Sequence, residues 1–150
     1  MFLGLVPITF FIGCGRTIPE RPSPTVEDVR AALASFDQDK LSLTTVTLQG
    51  ARQRKLVNGQ WFTRELAVAQ VSAKLECKAS FVVRDRAALE AASRTKGWNI
   101  AASARGLDEL ALLGPGECQS GEAREANVDL VFEWVDQHWR LLGIERKANL

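Results

Sequence analysis

Three cysteines, Cys14, Cys77 and Cys118, and a lone histidine, His138, carry chemistry beyond packing and charge in this chain. His138 lies two residues from Asp136 and just after Glu133, a spacing at which a carboxylate can assist an imidazole in proton transfer. Asp136-Gln-His138 also reads as a turn, which would leave these groups in water, and no nucleophile stands near them in sequence. A single histidine cannot build a multi-histidine metal site, and cysteines as far apart as Cys77 and Cys118 lack ligand spacing. Gly114-Pro-Gly116 lacks the Lys-Ser/Thr partner of a phosphate loop. The serines have no His and Asp companions in a recognisable order. The residues therefore point away from an enzyme, and no metal or cofactor is expected.

Binding is the other chemistry on offer. There are 4 tryptophans and no tyrosine. Large rings mostly fill cores or line cavities, and Trp61, Trp98 and Phe81 are candidates for a ligand slot. Trp134 and Trp139 flank one turn and are placed to pack across a hairpin. Arg52, Arg54, Lys55 and Arg64 gather around Asn58-Gly59. Such charges commonly protect a sheet edge from aggregation, and they would equally suit an acidic partner or phospholipid headgroups. With 19 Lys+Arg against 18 Asp+Glu, the chain lacks the basic excess of a nucleic-acid binder.

Cys14 stands between two contrasting segments. Before it runs an uncharged apolar stretch, residues 1–13, too short for the roughly 20 residues that span a bilayer and interrupted by Gly4, Pro7 and Gly13. This is the pattern of a signal-peptide apolar region. After it, Pro19, Pro22 and Pro24 favour extended chain. Phe11-Ile12-Gly13-Cys14 resembles the lipobox of bacterial lipoproteins, with Phe11 where Leu is usual. That resemblance implies cleavage before Cys14, acylation of its sulfur and membrane attachment by the buried acyl chains. It also implies that Gly15, where Asp would favour inner-membrane retention, directs the protein to the outer membrane facing the periplasm. Residues 1–13 are then signal peptide, 14–25 a lipidated tether and 26–150 a single domain.

If Cys14 carries lipid, Cys77 and Cys118 remain as an even pair. An exported chain meets an oxidising compartment, where such a pair is expected to bond; two separate buried thiols are the alternative.

The elements that position these residues follow from periodicity. Thr25 with Asp28 reads as a capping box opening a helix through Phe36, with Val26, Val29, Leu33 and Phe36 on one face. Leu41 to Val57 reads as a strand or a bent pair of strands, with Leu41, Leu43, Thr45 and Thr47 on one side and Val46 and Leu48 on the other. Asn58-Gly59 is a hairpin signal. From Ala67 to Val83 every odd position is apolar, which reads as one long strand with one wet side and one buried side. Asp85 to Ser93 has helix-forming composition, Trp98-Asn-Ile100 reads as the start of a short element, and Leu107 to Leu113 as a helical turn stopped by Gly114. Val128, Leu130, Phe132 and Trp134 alternate again, and Trp139 to Glu145 reads as the returning strand.

A helix, a hairpin, a long strand and a closing hairpin with Trp139 at the turn exit define an α+β domain. The layout resembles the cystatin-like and NTF2-like folds, carried mostly by Val128 to Ile144 and partly by the capped helix. The resemblance implies a helix packed on a curved antiparallel sheet, often over a cavity. A small half-open β-barrel, as in secretion pilotins, is the alternative. The function expected from these readings is a non-catalytic envelope lipoprotein that binds or assembles with an envelope protein. A carrier of small hydrophobic ligands in a cavity under the sheet is the alternative. An enzyme on an NTF2-like scaffold ranks last, with His138 and Asp136 its best candidates.

Overall fold

The computed structural model describes residues 21–36, 38–58, 62–95 and 99–147, with backbone only for 55–58 and 62–64. Thr25 and Asp28 form the expected capping box: the Asp28 carboxylate accepts from the Thr25 amide at 2.8 Å and the Asp28 amide donates to the Thr25 hydroxyl at 3.3 Å. Two otherwise orphaned amides are thereby satisfied at the start of α1 (Val26–Ala34). The helix turns Val29 and Leu33 into the core.

Strands β1 (Leu41–Asn58) and β2 (Phe62–Cys77) form an antiparallel pair. The turn signalled by Asn58-Gly59 involves residues 59–61, outside the described residues. β1 does not keep the alternation read from its sequence. An extra residue, Thr44, interrupts the register, so Leu43 faces Leu75 and Val46 faces Ala73. The bulge moves Val46 and Leu48 onto the side already occupied by Leu43, and all three pack on the core. A second irregularity at Gln49 places Ala51 and Gln53 opposite Ala69 and Ala67, and Arg52 and Arg54 opposite Val68 and Leu66.

The run expected to form one strand from Ala67 to Val83 is divided. β2 ends at Cys77, Lys78 to Ser80 bend away, and β3 (Phe81–Val83) joins a separate two-stranded sheet with β4 (Gly116–Cys118). Apolar parity continues through the break, but burial does not: Ala79 is exposed and Val83 is buried. Alternation reports which side of a strand is wet, not which neighbour receives its hydrogen bonds. Here Cys77 instead exchanges backbone bonds with Glu122 and Gly121, at 2.9 and 2.7 Å.

The excursion that follows is helical. Asp85 caps α2 (Arg86–Ser93), accepting from the Ala88 amide at 2.7 Å. Asn99 caps α3 (Ile100–Leu113) in the same way at 2.8 Å. The two short pieces expected from Trp98 to Leu113 are thus one continuous helix from Ile100. Gly114, at φ 73°, ends it in a conformation that glycine adopts without strain. β5 (Ala123–Val135) and β6 (His138–Arg146) complete the main sheet, whose order is β1-β2-β5-β6. Asp136 and Gln137 both take positive φ in the tight turn between them.

The result is an α+β domain with an open antiparallel sheet. Among the described residues β1 and β6 are the edges, and the sheet is not closed into a barrel, the alternative considered from sequence. The odd residues of β2, from Ala67 to Cys77, pack with α1, α3 and the inward residues of β5 in one core that includes Val29, Leu112, Leu130 and Phe132. Small alanines on β2 leave room for the helices to lie close. These side chains lie beneath the sheet, where the carrier alternative expects a cavity. On the opposite side of the sheet Leu66, Val68 and Val131 form a second small buried cluster.

Candidate functional site

One end of the sheet is assembled around Trp139. Its indole Nε1 donates to the Pro22 carbonyl at 2.9 Å, and Gln53 Nε2 donates to the Arg21 carbonyl at the same distance. Arg21 pairs with Glu65 and lies 5.9 Å from the Trp134 ring centre. Trp134 and Trp139 face each other across the β5–β6 hairpin, 5.0 Å apart and nearly edge-to-face. Residues 21–25, read from sequence as the last part of a tether, therefore lie against the domain. Residues 1–13, Cys14 and the rest of the tether fall outside the described residues.

At the other end of β2, Cys77 and Cys118 are joined by a disulfide with Cα atoms 6.3 Å apart, and both side chains are buried. The bond ties the end of the main sheet to β4. Around it, Glu122 accepts from the Gln119 amide at 2.9 Å and pairs with Arg124 at 2.7 Å. Those donors hold the Glu122 carboxyl below its ordinary pKa. Arg124 also donates to the Leu113 and Glu117 carbonyls, linking the end of α3 to β4.

The other candidates from sequence do not assemble. His138 is exposed, and its Nδ1 stands 3.1 Å from the Asp136 backbone oxygen rather than from a carboxylate. Glu133 pairs with Arg140 at 3.0 Å. Phe81 is half-buried on β3 beneath the Lys40 ammonium, 5.2 Å away, while Trp61 and Trp98 lie outside the described residues. Arg52 and Arg54 are exposed on β1, with Arg52 3.9 Å from Asp129. Lys55 and Arg64 belong to the same hairpin and are described by backbone alone. Among the described residues no three His, Cys, Asp or Glu side chains are grouped to hold a metal ion. No described helix is long and apolar enough to cross a membrane.

Two features were not read from the sequence. Asp108 on α3 accepts from the Ile144 amide of β6 at 3.0 Å and fastens that helix to the sheet. Burial pushes its carboxyl up, and the hydrogen bond only partly opposes this. The second is a cleft of about 500 Å³ between α2, α3 and β3, lined by Lys40, Val82, Arg84, Leu89, Arg105 and Glu109 among others. Gly106 faces Leu89 at its floor, where a Cβ would stand 2.4 Å from a Leu89 methyl and oblige it to shift. The cations of the cleft come from three distant points in the chain, so no local motif announces it. No family model matches this chain, and neither the curated proteins nor the solved structures contain a significant match.

Proposed function

We propose that this protein is a non-catalytic envelope lipoprotein, anchored through an acylated Cys14, whose domain docks onto an envelope protein partner. The observation that carries the docking part is the outer edge of β1. This 18-residue strand lies at the margin of the sheet, and only β2 pairs with it among the described residues. An open edge presents unpaired backbone groups that a partner's extended segment can join. The bulges at Thr44 and Gln49 and the charges of Arg52 and Arg54 are features that discourage pairing between identical edges. They leave the edge suited to a segment carrying acidic side chains. The disulfide-stapled core gives that edge a rigid support for docking. The finer fold reading, cystatin-like or NTF2-like, is part of the same proposal and draws support from α1 packed on an antiparallel sheet.

Two measurements test it. Intact mass of protein extracted from membranes should show acyl chains on Cys14, and Cys14→Ser should release the protein from the membrane fraction. Photo-crosslinkers placed at Thr47 and Gln49 in living cells should yield one dominant envelope-protein adduct, weakened by Arg52→Glu with Arg54→Glu. An unmodified Cys14 thiol in cytosolic material, or crosslinks only to the chain itself, would refute the proposal.

A further inference from the structure

We propose that the cleft between α2, α3 and β3 binds a single-chain anionic amphiphile, with its carboxylate or phosphate head among Lys40, Arg84 and Arg105 and its alkyl chain along Val82 and Leu89. The charge of the lining selects the sign of the ligand. Three cationic side chains meet one carboxylate, Glu109, which pairs with Lys40 at 3.4 Å. Lys40, Arg84, Arg105 and Glu109 all make further interactions within the fold, so the argument rests on the local excess of positive charge and not on an unpaired group. An anion added there improves the balance, whereas a cation would worsen it.

The apolar floor selects an attached chain. Leu89 is buried beneath the cleft, while Val82 is 68% exposed beside it, a large amount for an aliphatic side chain on a strand. A bare phosphate would leave Val82 in water. An alkyl chain lying over Val82 and Leu89 would remove that surface from solvent, at about 25 cal/mol per Å² of apolar area. The volume lies in the lower half of the range of about 300–1,000 Å³ usual for small-molecule sites, which favours one chain over two. The same chemistry can come from a free fatty acid or alkyl phosphate, or from the headgroup region of an anionic membrane. The cleft, recessed between two helices, is assigned to the free molecule.

The test is an amide-resolved NMR titration of the full-length chain carrying Cys14→Ser, so that no acyl group is attached to it. Laurate below its micelle concentration, inorganic phosphate and phosphatidylglycerol vesicles are the three probes. Laurate is expected to give saturable shifts centred on Arg84, Leu89 and Ala102 to Gly106, at least tenfold tighter than phosphate. Arg84→Gln with Arg105→Gln, and separately Val82→Asp, should each weaken laurate at least tenfold in variants whose amide spectra show the native fold; all three side chains are exposed. Non-saturating shifts, shifts elsewhere, equal affinity for phosphate, or unchanged binding in folded variants would overturn the proposal. Vesicles that shift the same residues more tightly than laurate would overturn the assignment to a free molecule.

Discussion

Breaking the bond between Cys77 and Cys118 should remove a large share of the stability of this domain. The cysteines are 41 residues apart in sequence. For a loop of that length the chain-entropy treatment gives about 4 kcal/mol at room temperature, because the reduced chain regains conformations that the link forbids in the unfolded state. Domains of this size are typically stable by only about 5–15 kcal/mol. With a urea slope of about 2 kcal/mol per molar, within the usual range, the midpoint should fall by about 2 M on reduction. The native end state should change less, because the backbone bonds from Cys77 to Glu122 and Gly121 remain. Lys78 Nζ also still reaches the Gln38 carbonyl at 2.7 Å. The assay is urea denaturation of oxidised protein, of protein held in excess reductant, and of Cys77→Ala with Cys118→Ala, with free thiols counted in each sample. Alanine is preferred to serine because a hydroxyl would be buried at either position. If the thiol count shows full reduction and the midpoint moves by less than about 0.5 M, the reasoning fails: the link would then hold nothing that the unfolded chain is free to lose.

Asp108→Asn should stabilise the domain at neutral pH. The pKa of Asp108 is raised by burial, so its favourable contribution is complete below the unfolded carboxyl value and is lost as pH rises through the folded one. An asparagine carbonyl can still accept from Ile144, and the gain in urea midpoint seen at pH 7 should vanish near pH 3. Glu122 has the opposite sign: its carboxyl is held low, so its contribution is present above the unfolded value and lost as acid titrates the folded group. Glu122→Gln should therefore cost stability at pH 7 and little at the lowest pH the fold survives. Thr25→Ala should cost about 1 kcal/mol through the lost cap, read in the same urea assay. Trp139→Phe keeps a ring against Trp134 and deletes the donor to Pro22. It should cost about 1 kcal/mol and speed amide exchange selectively in residues 21–25.

The parts of the fold legible in the sequence were those governed by a short-range rule. Thr25 and Asp28 announce α1 because a capping box is a contact between residues three apart. The inward side of β2 was legible because every odd position from Ala67 to Cys77 is apolar, and the Trp134–Trp139 pair because a tight turn fixes what lies opposite. What was lost depended on partners distant in the chain. A one-residue bulge at Thr44 inverts the side on which Val46 and Leu48 lie, and nothing in a list of alternating residues signals it. The strand break after Cys77 was hidden because Phe81 and Val83 keep the parity of β2 while pairing with β4. α3 was read in fragments because Ile100, 90% exposed, and Leu107, 44% exposed, put apolar side chains outside its buried stripe, and Gly106 lowers its helical propensity. The near neighbour of that glycine is Leu89, on another helix.

The same geometry sets what the two proposed surfaces can reach. Residues 21–25 are fastened beside Gln53 and Glu65, near Ala67 of β2, while Lys40 and the disulfide lie at Cys77. Ten residues of strand at about 3.3 Å each separate these ends by roughly 33 Å. In the tether reading, residues 15–20 would be the spacer between an acylated Cys14 and the described residues, which begin at Arg21. As polyproline-type chain, at ~3.1 Å per residue, such a spacer would reach roughly 19 Å. A lipid on Cys14 would thus hold the Trp139 end of the sheet close to the bilayer. With the strands upright, the α2–α3 cleft would stand well clear of it, while the open edge of β1 would run the full height between. A partner joining that edge would be held perpendicular to the membrane. Lengthening residues 15–20 by a Gly-Ser insert should therefore leave laurate affinity unchanged while weakening crosslinking at Thr47 and Gln49, if the partner is itself fixed in the envelope. Crosslinks that survive an insert of ~20 residues would show that height above the bilayer does not matter to docking.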